Sequence, residues 1–249
     1  MENSLLVGLS RQVALRRELD VVANNLANLG TAGFKSQEMV FREYLMPVAR
    51  ADIFPHGADR RLSYVEDRAT WQDFTSGPVQ TTGNPFDVAI AGDAFFAVQT
   101  PNGVRYTRNG QFQLDAQGRL VTNDGHPVLS NGGPIQFGDE ETDITIGVDG
   151  TISTAQGVRG RLLLTRFENN QALIPEGSSL FRSDTPGREL APGEARTIQY
   201  AIEKSNVEPI VETTRLIELS RSYQTLAQMM QRSDELRRTA IERLADVQA

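Results

Sequence analysis

The residues best equipped to do chemistry in this chain are the carboxylates Asp139, Glu140, Glu141 and Asp143. Two carboxyl groups held at a fixed separation supply the acid and base of glycoside hydrolysis. A secreted cell-wall glycan hydrolase is therefore the enzyme that this sequence could encode. The run follows Gly138 in loop-type sequence, however, where charged side chains are ordinarily solvated rather than fixed across a cleft. His56 and His126 are the only histidines and cysteine is absent, so a metal site would need both histidines plus distant carboxylates. Thiolate ligands, thiol nucleophiles and disulfides are excluded outright. No Gly-x-Ser-x-Gly elbow, no Walker-type phosphate loop and no Gly-x-Gly-x-x-Gly after a strand can be read. The expectation is a protein without cofactor, metal or catalysis.

Composition narrows the partners. The chain has 249 residues, 39% of them hydrophobic, enough for a sizeable core in one or two domains. A net charge of -7 without a basic stripe argues against nucleic acid. No apolar run approaches the ~18 residues of a spanning helix, so no membrane insertion is expected. The start, Met1 to Gly8, carries Glu2 where a secretory signal wants positive charge, and its apolar run is too short for one.

With no site to position, the elements themselves become the informative feature. Leu15, Leu19, Val22, Leu26 and Leu29 near one end, and Leu216, Leu219, Tyr223, Leu226 and Met230 near the other, recur at alternating steps of three and four. That is the spacing of a seam facing another helix. The first helix is expected from a cap at Asn3 or Ser4 to about Leu29, where Gly30 and the turn through Gly33 stop it. The last begins between Ser205 and Pro209: Ser205 and Glu208 have capping-box spacing, while Pro209 suits a first turn. It can run to Val247, and Leu236 and Leu244 extend its apolar content. Being longer than its mate, it would keep apolar surface for neighbouring copies.

Between the helices, residues 36–80 mix breakers with Phe41, Tyr44, Phe54, Tyr64, Trp71 and Phe74 without period, which reads as an extended connector that docks its aromatics. Short apolar runs from about Asn84 to Tyr200, separated by turns such as Asn109-Gly110, Asp124-Gly125 and Asp149-Gly150, read as antiparallel strands of a sandwich or open barrel. The fold class is thus α+β. Residues 1–35 with 203–249 form a discontinuous, coiled-coil-like helical domain, 36–80 the connector and 81–202 a central all-β domain.

One stretch fits neither core nor turn. Asn24, Asn25 and Asn28 sit in the last turns of the first helix, where amides lower helix propensity but beside an apolar seam can fix the register of packed helices. Val21-Val22-Ala23-Asn24-Asn25-Leu26-Ala27-Asn28, followed by Thr31-Ala32-Gly33-Phe34-Lys35, resembles the N-terminal signature of bacterial flagellar rod, hook and hook-associated axial proteins. Ser205-Asn206-Val207 and Arg221-Ser222-Tyr223-Gln224 are similar to that family's C-terminal helix. Asp87 to Phe96 and Tyr106-Thr107-Arg108-Asn109-Gly110 are similar to its β domain. The length fits rod subunits rather than hook proteins. Residues 5–12 and the Asn206 to Pro209 step are most similar to the F-type, proximal branch, with the G-type, distal branch close behind.

The resemblance implies a structural subunit whose termini polymerise into a hollow, torque-transmitting tube with β domains outside. It implies copies of the same chain, other proximal and distal rod subunits and the flagellar export apparatus as partners. Residence in the basal-body rod across the periplasm, reached without a cleaved signal peptide, is implied as well. Leu15, Leu19, Val22, Asn24, Asn25, Leu26, Asn28, Leu29, Gly33 and Phe34, with Leu216, Leu219, Tyr223, Leu226, Met230, Leu236 and Leu244, are the expected assembly interface.

Overall fold

A computed structural model describes residues 2–45, 63–138, 141 and 143–246. The chain divides into two compact units: a helical unit of Met1–Leu26, Gln37–Trp71 and Pro209–Ala249, and a β unit of Ala27–Ser36 and Gln72–Glu208. The α+β class expected from the sequence is what is found.

In the helical unit, α1 spans Glu2–Ala27 and α2 spans Pro209–Asp246. At 1.5 Å per residue they are ~39 and ~57 Å long. α1 ends two residues before Leu29. A turn takes over there, with the Thr31 N–H donating to the Asn28 carbonyl at 3.1 Å and the Thr31 hydroxyl to the Asn28 side chain at 3.2 Å. Of the two starts open for α2, Pro209 prevails: its missing N–H costs nothing in a first turn. Ser205 instead accepts the Val207 N–H at 3.2 Å in a local turn before the helix. Within the segment expected as an extended connector, strands Gln37–Leu45 and Ser63–Gln72 pair in a two-stranded sheet.

The β unit is antiparallel in every pairing described within it. Its largest sheet has six strands in the spatial order Ile174–Pro175, Leu180–Arg182, Gly103–Thr107, Phe95–Thr100, Leu164–Arg166 and Arg188–Glu189. Alternation along these strands sends side chains to two cores. Phe96, Val98, Leu164 and Leu180 join the larger core on one face, with Val88, Phe112, Leu120 and Ile152. Phe95, Phe167 and Phe181 join Leu173 in the smaller core on the other. Phe74, from the connector sequence, packs there with its ring 5.5 Å from Phe181 and 5.9 Å from Phe95. Trp71 remains exposed, and the side chains of Phe41, Tyr44, Phe54 and Tyr64 fall outside the described residues.

Most of the expected glycine turns form, with Gly103, Gly118, Gly125, Gly133 and Gly150 at positive φ. Gly110 is different. Its φ is not positive, and a Cβ there would lie 1.7 Å from the Val88 carbonyl oxygen. Asn109-Gly110 is therefore a close crossing of two backbones, where only a hydrogen side chain fits.

Candidate functional site

The two helices of the helical unit run antiparallel. Partners fall along α2 as they rise along α1: Gly8 lies beside Met230, Gln12 donates to the Tyr223 hydroxyl at 3.2 Å, Glu18 accepts from Arg215 at 2.9 Å, and Asn25 donates to Glu212 at 3.3 Å. Between these contacts Leu15, Val22 and Leu219 are buried, with Leu19, Leu216, Tyr223 and Leu226 packed against them. The heptad-like spacing puts these side chains on facing stripes because three and four residues bracket one helical turn. Leu26, Leu29 and Met230 are partly buried. Leu236 is 71% exposed, on a face of α2 turned away from the seam, and the side chain of Leu244 lies outside the described residues.

The three amides part company. Asn24 is exposed and Asn28 supports the turn after α1. Asn25 is 1% exposed, and its side chain acts as a piece of β-ladder. Its Oδ1 accepts the Gln37 N–H at 2.9 Å, while its Nδ2 donates to the Gln37 carbonyl at 2.8 Å and to the Glu212 carboxylate. One side chain thus ties the last turn of α1 to the first turn of α2 and to the strand between them in sequence. Glu212 is itself buried, and its Oε2 has no hydrogen-bond partner.

Gly33 and Phe34 are buried inside the β unit. Gly33 has φ +65°, and a Cβ on it would lie 2.3 Å from the Arg108 carbonyl carbon. Beside it is a cluster that charge patterning did not reveal. Lys35 and Glu203 are each 1% exposed and meet at 2.6 Å. Lys35 Nζ also donates to the Thr75 carbonyl at 2.6 Å, and Glu203 Oε1 also accepts the Gly77 N–H at 3.0 Å. The Arg108 guanidinium lies 2.7 Å from Glu203 Oε2, at ion-pair distance but without hydrogen-bond alignment. It is anchored by the Gly92 and Ala94 carbonyls and the Ser76 hydroxyl. Burial pushes the Lys35 ammonium below the ordinary lysine value, and the neighbouring Glu203 opposes that shift. Asn206 completes the knot, accepting the Ser36 N–H at 2.7 Å and donating to the Asp73 carbonyl at 2.9 Å. Lys35, Arg108 and Asn206 belong to motifs already singled out. Glu203 carried no signal, since its partners lie at sequence separations of 126 and 168.

Of the four carboxylates of the acidic run, Glu141 and Asp143 are among the described residues. Asp139 and Glu140 fall outside the described residues, and Glu141 is ion-paired with Arg159. His56 is also outside them, and His126 sits in a tight turn whose N–H bonds the Thr122 hydroxyl. Among the described residues no three His, Asp or Glu side chains are grouped to hold a metal ion, and no helix is long and apolar enough to cross a membrane.

Paired terminal helices with uncovered apolar surface define a class, the subunit of a larger assembly. Three family profiles match in order along the chain: the flagella basal body rod protein profile at residues 5–35, the flagellar hook protein FlgE/F/G D1 domain at 89–154, and the flagellar basal body rod FlgEFG protein C-terminal profile at 198–243. The chain is 40% identical over 249 residues to the flagellar basal-body rod protein FlgF of Caulobacter vibrioides, covering 99% of this chain and 100% of that one. It is 34% identical to FlgF of Mesorhizobium japonicum, with 94% of each chain covered, and 32% identical to the flagellar basal-body rod protein FlgG of Bacillus subtilis, with 95% and 97% covered. The chain belongs to the flagellar basal-body rod protein family.

Proposed function

We propose that this chain is a structural subunit of the flagellar rod, the drive shaft, and that it polymerises through α1 and α2 into a hollow helical tube that transmits torque. One observation carries the reading: the helix pair leaves large apolar side chains in water. Ile210, Ile217, Met229, Leu236 and Ile241 on α2 and Leu9 and Val13 on α1 are all exposed. Gly8 faces Met230, and past that level Leu236 and Ile241 of α2 remain exposed. Uncovered apolar surface of this kind favours association. A contact between different faces of identical subunits need not close, which makes a filament rather than a dimer.

In this reading the interface comprises the seam residues Leu15, Leu19, Val22, Leu26, Leu216, Leu219, Tyr223, Leu226 and Met230, which shape each helix pair, together with Leu29 in the turn that follows α1. Leu236 and Leu244 lie on the stretch of α2 that neighbours cover. Asn24, Asn25, Asn28, Gly33 and Phe34 complete the proposed set in the last turns of α1 and the stretch that follows it. The partners are further copies of the chain and the other proximal and distal rod subunits, and the flagellar export apparatus delivers it to the rod across the periplasm without cleaving a signal peptide. The test is polymerisation of purified protein, followed by sedimentation and negative-stain electron microscopy, with and without Met229→Glu and Leu236→Glu together. The wild-type chain is expected to form rod-like polymers, and the double variant to remain monomeric at unchanged helix content. Undiminished polymer from the variant overturns the proposal.

A further inference from the structure

The cluster at Glu203 is more than a buried ion pair. It gathers four separate stretches of the β unit onto one carboxylate: Lys35 from the stretch that follows α1, Gly77 from the entry into Val79–Thr81, Arg108 from the crossing at Gly110, and Glu203 itself from the stretch leading to α2. The Glu203 backbone joins in, its carbonyl accepting the Gly33 N–H at 2.7 Å. Asn206 adds Ser36 and Asp73. Residues 31–36 and 203–206 are the roots of the two terminal helices in the chain, and within the β unit they bond each other directly, Gly33 and Lys35 to Glu203 and Ser36 to Asn206, and share the stretch 72–79 as a common support.

We infer that Glu203, with Lys35 and Arg108, is a buried ionic clasp that makes the seating of the two roots a single event, so that α1 and α2 are presented together or not at all. Burying ions is costly, and a buried pair is weak as a source of stability but severe when one partner is lost. Here one carboxylate answers two cations. Removing Glu203 strands both, whereas removing Lys35 leaves a matched Arg108–Glu203 pair. Lys35 is thus a positioning residue whose charge matters through Glu203, and the effects of the two must depend on each other. A role in packing alone makes the opposite forecast, because two substitutions in one core then do more damage than either.

Amide hydrogen exchange on the monomeric full chain tests this. Glu203→Gln keeps the shape and removes the charge. It is expected to lower protection roughly 100-fold or more at 31–36 and at 203–206 in the same exchange phase, while Phe95–Thr100 stays protected. Lys35→Met alone is expected to change the protection of the roots less than 10-fold. In the Glu203→Gln background it is expected to restore at least part of the protection lost. The inference is overturned if Glu203→Gln leaves both roots protected, if one root opens without the other, or if adding Lys35→Met deepens the loss. Should Glu203→Gln unfold the β unit, the same comparison is made with Arg108→Gln, which leaves Lys35 and Glu203 as a matched pair and is expected to keep both roots in one phase; separate opening there also overturns it. All of these readings are made on single chains, so they stand or fall independently of whether the protein polymerises.

Discussion

Single residues show where sequence patterns stop speaking. The oddity of three amides at the end of α1 was legible, but not which amide would be buried or that its partners would be the Gln37 backbone and Glu212. Asn25→Leu removes an acceptor and both donated bonds and leaves the Gln37 amide, the Gln37 carbonyl and Glu212 without that partner. Unsatisfied buried groups of this kind cost roughly 1–3 kcal/mol each before relaxation. Urea unfolding monitored by helical circular dichroism is expected to show a loss of at least about 2 kcal/mol. A loss under about 0.5 kcal/mol means that water or rearrangement replaces the amide. A second residue-scale expectation concerns acid. The Thr151 hydroxyl and N–H both bond Asp149, at 2.7 and 3.1 Å, and hold its carboxyl below the ordinary aspartate value. A carboxylate with a lowered folded-state pKa stabilises the fold above its unfolded value of 3.8, and this contribution fades as the pH falls through the folded value. The Thr151 amide resonance is expected to titrate with a midpoint below pH 3.8, and this shift is expected to vanish in Asp149→Asn.

At the scale of elements, periodicity carried the helices because a seam is a local pattern repeated over many turns. Leu15, Val22 and Leu219 are buried where the steps of three and four put them. The same rule separates Leu236 from the seam, since it lies about a third of a turn or more round α2 from Tyr223 and Met230 at 100° per residue. The β elements were legible through turn chemistry, but pairing order was not, because strands such as Phe95–Thr100 and Leu164–Arg166 meet across a long sequence gap. Gly110 marks the limit of the turn rules: Asn-Gly signals a hairpin only when nothing else needs the space, and here the Val88 backbone does. The two kinds of apolar residue on α2 should behave oppositely. Leu219→Ala opens a cavity in the helix pair and is expected to cost about 2–5 kcal/mol in the monomer. Leu236→Ala is expected to change monomer stability by no more than about 0.5 kcal/mol while weakening assembly. Thermal melting and sedimentation of both variants check the contrast, which is lost if Leu236→Ala also destabilises the isolated chain.

For the whole molecule, the distribution of charge decides what kind of association the exposed helices favour. In α1, Arg11, Arg16 and Arg17 match Glu2, Glu18 and Asp20, and in α2 arginines and carboxylates are likewise equal in number. The acidic excess behind the net charge of -7 therefore lies outside the helices. In the proposed assembly neighbouring copies would meet through surfaces that are apolar and electrically balanced, while the remainder of each copy would repel the next. Salt screens that repulsion, since the Debye length falls from ~30 Å at 0.01 M to ~8 Å at 0.15 M, and it does little to apolar contacts. Assembly through the helix faces is thus expected to strengthen as sodium chloride rises across this range. Sulfate at equal ionic strength should strengthen it further, because excluded anions favour burial of apolar surface. Assembly through rim ion pairs would weaken over the same range. Light scattering across a salt series distinguishes the two, and polymers that dissolve on adding salt would transfer the driving force from Met229, Leu236 and Ile241 to the charged residues around them.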